Sequence, residues 1–174
     1  MANAESNVDR NAEGQNAEGQ NADGQRAEGP VDVDAVKRDW VGHKFDSTQF
    51  RVHGDRMLAW AQACGETDPR FIDPDNPDFQ AHPTYTAQFG AKQLFPKGFP
   101  KLGRGGFDAG KAVEVHSPVR AGETLTGESE IHDIYTKTGR SGTMIFIVHR
   151  MTFSNEAGEP VSTVDWRIMR SAKD

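Results

Sequence analysis

The most informative part of the sequence is the run Met57-Leu-Ala-Trp-Ala-Gln-Ala-Cys-Gly-Glu-Thr-Asp-Pro69. Its apolar residues recur at helical spacing, which predicts an α-helix with one apolar stripe made of Met57, Trp60, Ala61 and Cys64. Cys64 is predicted to be a small core residue of that stripe. Asp55 is predicted to cap the start of the helix, and Gly65 suits its end. Four prolines between positions 69 and 83 then predict a loop.

The segments around this helix predict further short elements. Upstream, residues 31–39 predict a short helix and residues 45–52 a strand. Downstream, Thr84 is predicted to cap a second short helix that reaches Leu94 or Phe95.

The last third of the chain has the pattern of an antiparallel meander. Apolar runs separated by turn residues predict strands at 111–116, 124–136, 143–153 and 160–169. One early strand, a helix and a long meander indicate a single α+β domain over residues 31–174. A sheet that wraps around its helix would bury both.

The first thirty residues differ from the rest. Residues 11–30 are four pentapeptides of the form Asn-Ala-Glu-Gly-Gln, with small variations. None carries a side chain large enough to bury, and each contains a glycine that is costly to order. Residues 1–30 are therefore predicted to be a disordered, repetitive tail.

Composition excludes several classes of protein. The net charge is −6, from 20 basic and 26 acidic residues, and the sequence lacks the clustered basic face of a nucleic-acid-binding protein. No apolar run approaches the roughly 18 residues that a membrane span requires. The single cysteine allows no intrachain disulfide, which fits a cytoplasmic location.

Four stretches resemble a known family. They are Val41-Gly-His-Lys-Phe45, the run 57–69, His116-Ser-Pro-Val-Arg-Ala-Gly-Glu-Thr-Leu125 and Tyr135-Thr-Lys-Thr-Gly-Arg-Ser-Gly142. In this order and spacing they resemble the MaoC-like hydratase/dehydratases, in the branch of FAS1-like dehydratase domains. The resemblance covers roughly residues 40–170.

The resemblance implies a fold, a substrate class and a partner. The fold is the hot-dog fold, a bent antiparallel sheet around a central helix, and such domains work in pairs as homodimers or heterodimers. The implied substrates are acyl-CoA or acyl-carrier-protein thioesters. The implied reaction is reversible hydration of a trans-2-enoyl thioester to the (3R)-hydroxyacyl form. It implies no metal and no redox cofactor.

The active-site signature of the family is altered in this chain. Active members use an Asp and a His from Gly-Asp-x-Asn-Pro-hydrophobic-His, and the matching stretch here is Gly65-Glu-Thr-Asp-Pro-Arg-Phe71. Glu66 stands at the Asp position, Asp68 at the Asn position and Phe71 at the His position. Phenylalanine cannot transfer a proton, and a positioned acid or base contributes about 100- to 10,000-fold in rate.

Several hypotheses follow from the altered signature. In the first, this chain is the non-catalytic half of a heterodimer whose partner carries the intact Asp/His pair. In the second, the chain is a self-sufficient homodimeric hydratase that uses Glu66 or Asp68 with His82. A hot-dog thioesterase with a carboxylate base, or an acyl-thioester-binding module, are further alternatives. Against all of these, acidic residues in a proline-rich loop are often only solvated turn formers.

Four residues are candidates for substrate binding. Thr84 and Tyr85 follow His82 in a segment that runs close to the active site in the relatives that the resemblance implies. Lys97 and Arg104 belong to a basic stretch with interleaved phenylalanines, which suits the phosphates of coenzyme A or an acidic carrier protein. The simpler interpretation of that stretch is a solvated charged loop.

Overall fold

The computed structural model describes residues 32–172, so the predicted tail at residues 1–30 lies outside the described part. The helices of the described part are α1 (Val33–Trp40), α2 (Gly54–Ala63), the single turn α3 (Pro69–Ile72) and a 3₁₀ turn (Tyr85–Gln88). Its strands are β1 (Lys44–Arg51), β2 (Arg104–Val115), β3 (Thr124–Gly139), β4 (Gly142–Ser154) and β5 (Pro160–Ser171).

The strands form one antiparallel sheet in the order β1-β3-β4-β5-β2. Three of the four predicted strands of the meander are confirmed as β3, β4 and β5, which are joined by two hairpin turns. Alternate residues of β4, from Ile145 to Phe153, are buried because side chains of a strand point alternately to its two faces. The predicted α+β architecture is therefore confirmed.

Two apolar clusters occupy the buried face of the sheet. One joins Met57 of α2 to Tyr85, Leu125, Met151 and Phe153. The other contains Leu102 and four isoleucines of β3 and β4, with Val33 and Val36 of α1 packed against it. The cluster around α2 anchors the loop that follows this helix.

Three predictions around the helices are wrong. The residue at the N-cap of α2 is His53, not Asp55, and its side chain makes no capping hydrogen bond. Cys64 is exposed because α2 ends at Ala63 and the chain turns away from the core there. The predicted second helix is only the 3₁₀ turn, since the backbone is extended at Phe89, whose ring stacks on Phe50 at 4.6 Å.

The edge strand β2 begins at Arg104, well before the predicted start at Lys111. The first half of the strand is rich in glycine, which is uncommon in strands, so the sequence pattern did not indicate a strand there. Two irregularities interrupt its pairing with β5, between Arg104 and Phe107 and between Asp108 and Lys111. Nearly the whole strand is exposed along the outer edge of the sheet.

Gly103 immediately precedes β2, and its backbone lies close to the backbone of Ser171. Its φ is +62°, and a Cβ at this position would overlap the carbonyl oxygen of Ser171. We expect Gly103→Ala to lower the free energy of unfolding by about 3 kcal/mol, because left-handed strain adds to a backbone clash. Urea denaturation measures the loss.

Gly98→Ala is the matched control for this change. Its φ is +83°, but a Cβ there would have no other atom within 4 Å. Only the left-handed strain applies, so we expect a loss of about 1 kcal/mol. Equal losses in the two variants would contradict the close approach at Gly103.

Candidate functional site

The loop after α2 holds the Glu66 carboxylate in a fixed place. Gly65 adopts a left-handed conformation, with φ of 72°, and lets the chain leave the helix. Glu66 Oε1 then accepts hydrogen bonds from the backbone N–H groups of Thr67 at 2.7 Å and Asp68 at 3.0 Å. The bonds from Asp68 and Thr67, helped by His82, lower the pKa of Glu66, so its carboxylate is ionised at neutral pH.

The structure brings Glu66 and His82 together. His82 Nε2 lies 3.4 Å from Glu66 Oε2, and the two side chains are 17% and 24% exposed. On the other side of the ring, Nδ1 lies 2.9 Å from the hydroxyl of Thr84. A carboxylate, an imidazole and a hydroxyl thus form one connected group with partial access to solvent.

Asp68 does not join this group. It caps α3 by accepting a hydrogen bond from the backbone N–H of Arg70 at 2.9 Å. The guanidinium of Arg70 also binds it, with Nη2 at 2.6 Å, and this contact lowers the pKa of Asp68. Its oxygens are therefore engaged in holding the loop.

A small pocket opens beside His82. Its volume is about 60 Å³, and its lining includes Phe71, His82, Tyr85, Thr86, Val115 and Ser162. The ring of Phe71 packs edge-on against His82, with centroids 5.6 Å apart. The resemblance places Phe71 at the histidine position of the signature, and the imidazole of His82 packs against this ring.

Thr84 and Tyr85 lie at this site in different roles. The Thr84 hydroxyl accepts a hydrogen bond from Trp60 Nε1 at 3.1 Å while it contacts His82. Tyr85 is 1% exposed in the core beneath the pocket, and burial raises the pKa of its hydroxyl.

Sequence reasoning missed several residues of the site. Thr86 and Ser162 line the pocket and share a buried hydrogen bond of 3.0 Å across 76 positions of the chain. Trp60 belongs to the apolar stripe of α2, and nothing in that spacing indicates its hydrogen bond to Thr84. The signature position of Phe71 is a usable signal for that residue. The contact between Thr86 and Ser162 has no such signal, because it joins segments that are far apart in the sequence.

Arg104 lies away from this group. Arg104 begins β2 whereas Val115, which lines the pocket, ends it. Twelve extended residues span about 35 Å. The structure therefore does not bring Arg104 to the pocket of its own chain.

Residues 32–172 offer neither a cluster of metal-binding side chains nor a membrane-spanning helix. Within this range, no set of three or more His, Cys, Asp or Glu side chains is arranged to hold a metal ion. Among the helices of the same range, none has both the length and the apolar character needed to cross a membrane.

Comparison with known proteins gives a family match over most of the domain. The model described as "FAS1-like, dehydratase domain region" matches residues 39–164. No curated protein sequence matches the chain.

Solved structures share the fold. The MaoC-like dehydratase from Rhodospirillum rubrum is 24% identical with a TM-score of 0.52, covering 77% of this chain and 94% of that chain. The ChsH1-ChsH2 complex from Mycobacterium tuberculosis is 18% identical with a TM-score of 0.57, covering 82% and 90%. The HadBC (3R-hydroxyacyl-ACP dehydratase) complex from the same organism is 20% identical with a TM-score of 0.54, covering 75% and 93%. These likenesses, with the sheet order, confirm the predicted hot-dog fold.

Proposed function

The chain belongs to the FAS1-like dehydratase domain region family, and we propose that it is a subunit of an (R)-specific enoyl-thioester hydratase or 3-hydroxyacyl-thioester dehydratase with Glu66 and His82 as its reactive pair. The observation that carries this proposal is the 3.4 Å contact between His82 Nε2 and Glu66 Oε2. His82 lines the adjoining pocket of about 60 Å³.

The chemistry of hydration fits these two groups. A base must take a proton from water near C3 of the enoyl thioester, and a proton must reach C2. Glu66 is a carboxylate at neutral pH, and it can accept the proton from water and return it to C2. The hydroxyl of the same water forms the new bond to C3, so that one water is added and Glu66 is regenerated.

We assign different roles to the remaining candidates. Tyr85, on the wall of the pocket, borders the acyl group. Asp68 holds the loop in place through Arg70 and takes no part in proton transfer. The substrate thioester, on coenzyme A or a carrier protein, lies along the edge of the sheet near Val115.

A second candidate function is a non-catalytic half of a heterodimer. Phe71 at the signature's histidine position favours it, because this side chain cannot transfer a proton. The ChsH1-ChsH2 and HadBC proteins are named as complexes, which is consistent with such a division. In that arrangement a partner hot-dog subunit carries the intact Asp/His pair and this chain supplies a wall of the acyl site.

An activity assay separates these functions. The full chain is assayed alone, and again with a hydratase-like partner protein, by the loss of enoyl absorbance of crotonyl-CoA and of a longer enoyl-CoA. Hydration by the chain alone supports the Glu66/His82 pair, and hydration only in the mixture supports the heterodimer. Thiol release without hydration indicates a thioesterase, and binding without either reaction indicates a binding module.

The edge strand β2 is the surface that we propose for the partner. Phe107 is 63% exposed and Val115 47% exposed on a strand with no neighbour on its outer side among the described residues. Unpaired edges pair readily with another strand. An antiparallel β2 of a second hot-dog subunit would continue the sheet.

This pairing would also give Lys97 and Arg104 a role in substrate binding. Antiparallel strands place the start of one beside the end of the other. In a homodimer, Arg104 of the second copy would therefore lie near Val115 of the first, at the mouth of its pocket. There its guanidinium, with Lys97 of that copy, could bind phosphates of coenzyme A.

Phe107→Lys is expected to weaken this dimer by at least about tenfold, because it replaces exposed apolar surface by charge on the paired strands. Sedimentation equilibrium measures the dissociation constant. Leu94→Lys, at a side chain that is 38% exposed in a loop, is the control and should leave the constant unchanged. Equal effects of both variants, or none, would contradict the proposed surface.

A further inference from the structure

We propose that Thr84 and Trp60 are positioning residues that fix the tautomer of His82, leaving Nδ1 unprotonated and placing the proton on Nε2, which faces Glu66. The inference rests on the function proposed above and assigns the two members of the pair separate tasks. Glu66 carries the proton, and the Nε2–H of His82 donates a hydrogen bond to the reacting oxygen.

The tautomer follows from groups that can act only as donors. The backbone N–H of Thr84 points to His82 Nδ1 at 3.3 Å. A backbone N–H has no lone pair to offer, so this bond forms only while Nδ1 carries no proton, and together with the Thr84 hydroxyl it favours that tautomer of the neutral ring. The proton of neutral His82 is then on Nε2, at 3.4 Å from Glu66 Oε2.

The side chain of Thr84 supports the same arrangement. Indole Nε1–H is also only a donor, so Trp60 occupies the Thr84 oxygen as an acceptor at 3.1 Å. This bond orients the hydroxyl, whose own hydrogen is free to point to His82 Nδ1 at 2.9 Å. Nδ1 thus accepts from two donors, and a proton placed there would face the backbone N–H.

Helix α2 positions both residues of the pair, Glu66 directly and His82 through Trp60 and Thr84. Trp60 lies in the last turn of α2, and Glu66 follows the end of α2, with its backbone N–H bonded to the Ala61 carbonyl at 3.0 Å. The indole of Trp60 is half-buried against the core cluster that contains Met57. The ring of His82 is therefore held between Thr84 and Glu66 by one rigid element.

The tautomer restricts what His82 can do. A neutral ring with Nε2–H has no free basic nitrogen on the side of Glu66, so it cannot take the proton from water there. It can hold the water oxygen, or the hydroxyl that leaves in the reverse reaction, by a hydrogen bond. The proton released by water goes to Glu66 Oε2 and from there to C2, and the imidazole neither gains nor loses a proton.

The test is a ¹⁵N NMR measurement of the His82 ring in the full chain. We expect an unprotonated Nδ1 and a protonated Nε2 in the wild type at a pH where the ring is neutral. Thr84→Val should mix the two tautomers, and Thr84→Ser should restore the wild-type signals. Trp60→Phe should shift the signals in the same direction by less. A protonated Nδ1 in the wild type, or unchanged signals in Thr84→Val, would overturn the inference.

Kinetics give the second readout. Thr84→Val should lower kcat about tenfold with KM unchanged, which corresponds to the loss of one hydrogen bond, and Thr84→Ser should restore most of the rate. An increase in KM alone would show instead that Thr84 binds substrate directly. Thr163→Val removes a hydroxyl that lies 3.0 Å from His116 Nε2 at an exposed site, and it should change neither readout.

The two proposals can fail separately. If the chain shows no hydratase activity but His82 has the expected tautomer, the positioning holds and the proposed function fails. If activity depends on Glu66 and His82 while Nδ1 is protonated, the function holds and the positioning fails.

Discussion

Glu66→Gln is expected to lower kcat for enoyl-thioester hydration by about 100- to 10,000-fold, because it removes the only group of the pair that can carry the proton. The amide oxygen of glutamine can still accept the hydrogen bonds that Thr67 and Asp68 donate to Glu66 Oε1. The loop should therefore keep its shape, and KM should change little. Steady-state rates with crotonyl-CoA measure the loss.

A second Glu–His contact in the chain provides a matched control. Glu130 Oε1 lies 3.4 Å from His132 Nδ1 on β3, away from the pocket. Glu130→Gln should leave both kcat and KM unchanged. A similar loss of rate in the two variants would mean that charge or stability, not the position of Glu66, controls the activity.

Acidification is expected to destabilise the folded chain by about 3 kcal/mol between about pH 6.5 and about pH 4, because of His149. This side chain is 3% exposed on β4, and within residues 32–172 neither ring nitrogen has a hydrogen-bond partner. Burial, with a smaller contribution from Lys111, lowers its pKa from 6.5 to about 4 against the opposing charge of Asp46.

The sign follows from proton binding. In the unfolded chain His149 takes up a proton as the pH falls below about 6.5, whereas in the folded chain it does so only near pH 4. Between these values the unfolded state binds more protons, so acid favours unfolding. Well above pH 6.5 both states are neutral at this position, and His149 adds no pH dependence to the stability.

His149→Phe should abolish most of this pH dependence, and urea denaturation between about pH 7 and about pH 4.5 measures it. The new ring would face Phe45 and Trp166, whose centroids lie 5.2 Å and 6.5 Å from the imidazole. His132→Phe, at a side chain that is 38% exposed, is the control and should keep the wild-type slope. An unchanged slope in His149→Phe would contradict the assignment.

Asp133 and Asp165 contribute little over most of this window. The pKa values of Asp133 and Asp165 are lowered, in the first case by the ammonium of Lys37 and in the second by Arg150 against an opposing effect of burial. Their stabilising effect is lost mainly as the pH falls through and below the ordinary pKa of an aspartate, about 3.9, so it overlaps only the lowest part of the window. The two effects can thus be separated by pH.

Local pattern and resemblance were enough to predict much of this molecule. The 3.6-residue spacing of Met57 and Ala61 predicted the buried face of α2, because one face of a helix packs on the core. Apolar runs and turn residues predicted the three consecutive strands β3, β4 and β5. The errors at Cys64 and Phe89 have one cause: the path of the chain there depends on packing against other segments, which a local pattern does not contain.

The contact between Glu66 and His82 could be identified only from the tertiary structure. The sequence pointed to Glu66 and to the loss of histidine at Phe71, and it offered His82 only as a histidine in a suitable loop. That His82 packs on Phe71, contacts Glu66 and accepts hydrogen bonds from Thr84 depends on how that loop folds back over the end of α2. Helix and strand patterns arise from neighbours along the chain, whereas a site assembled from two loops arises from neighbours in space.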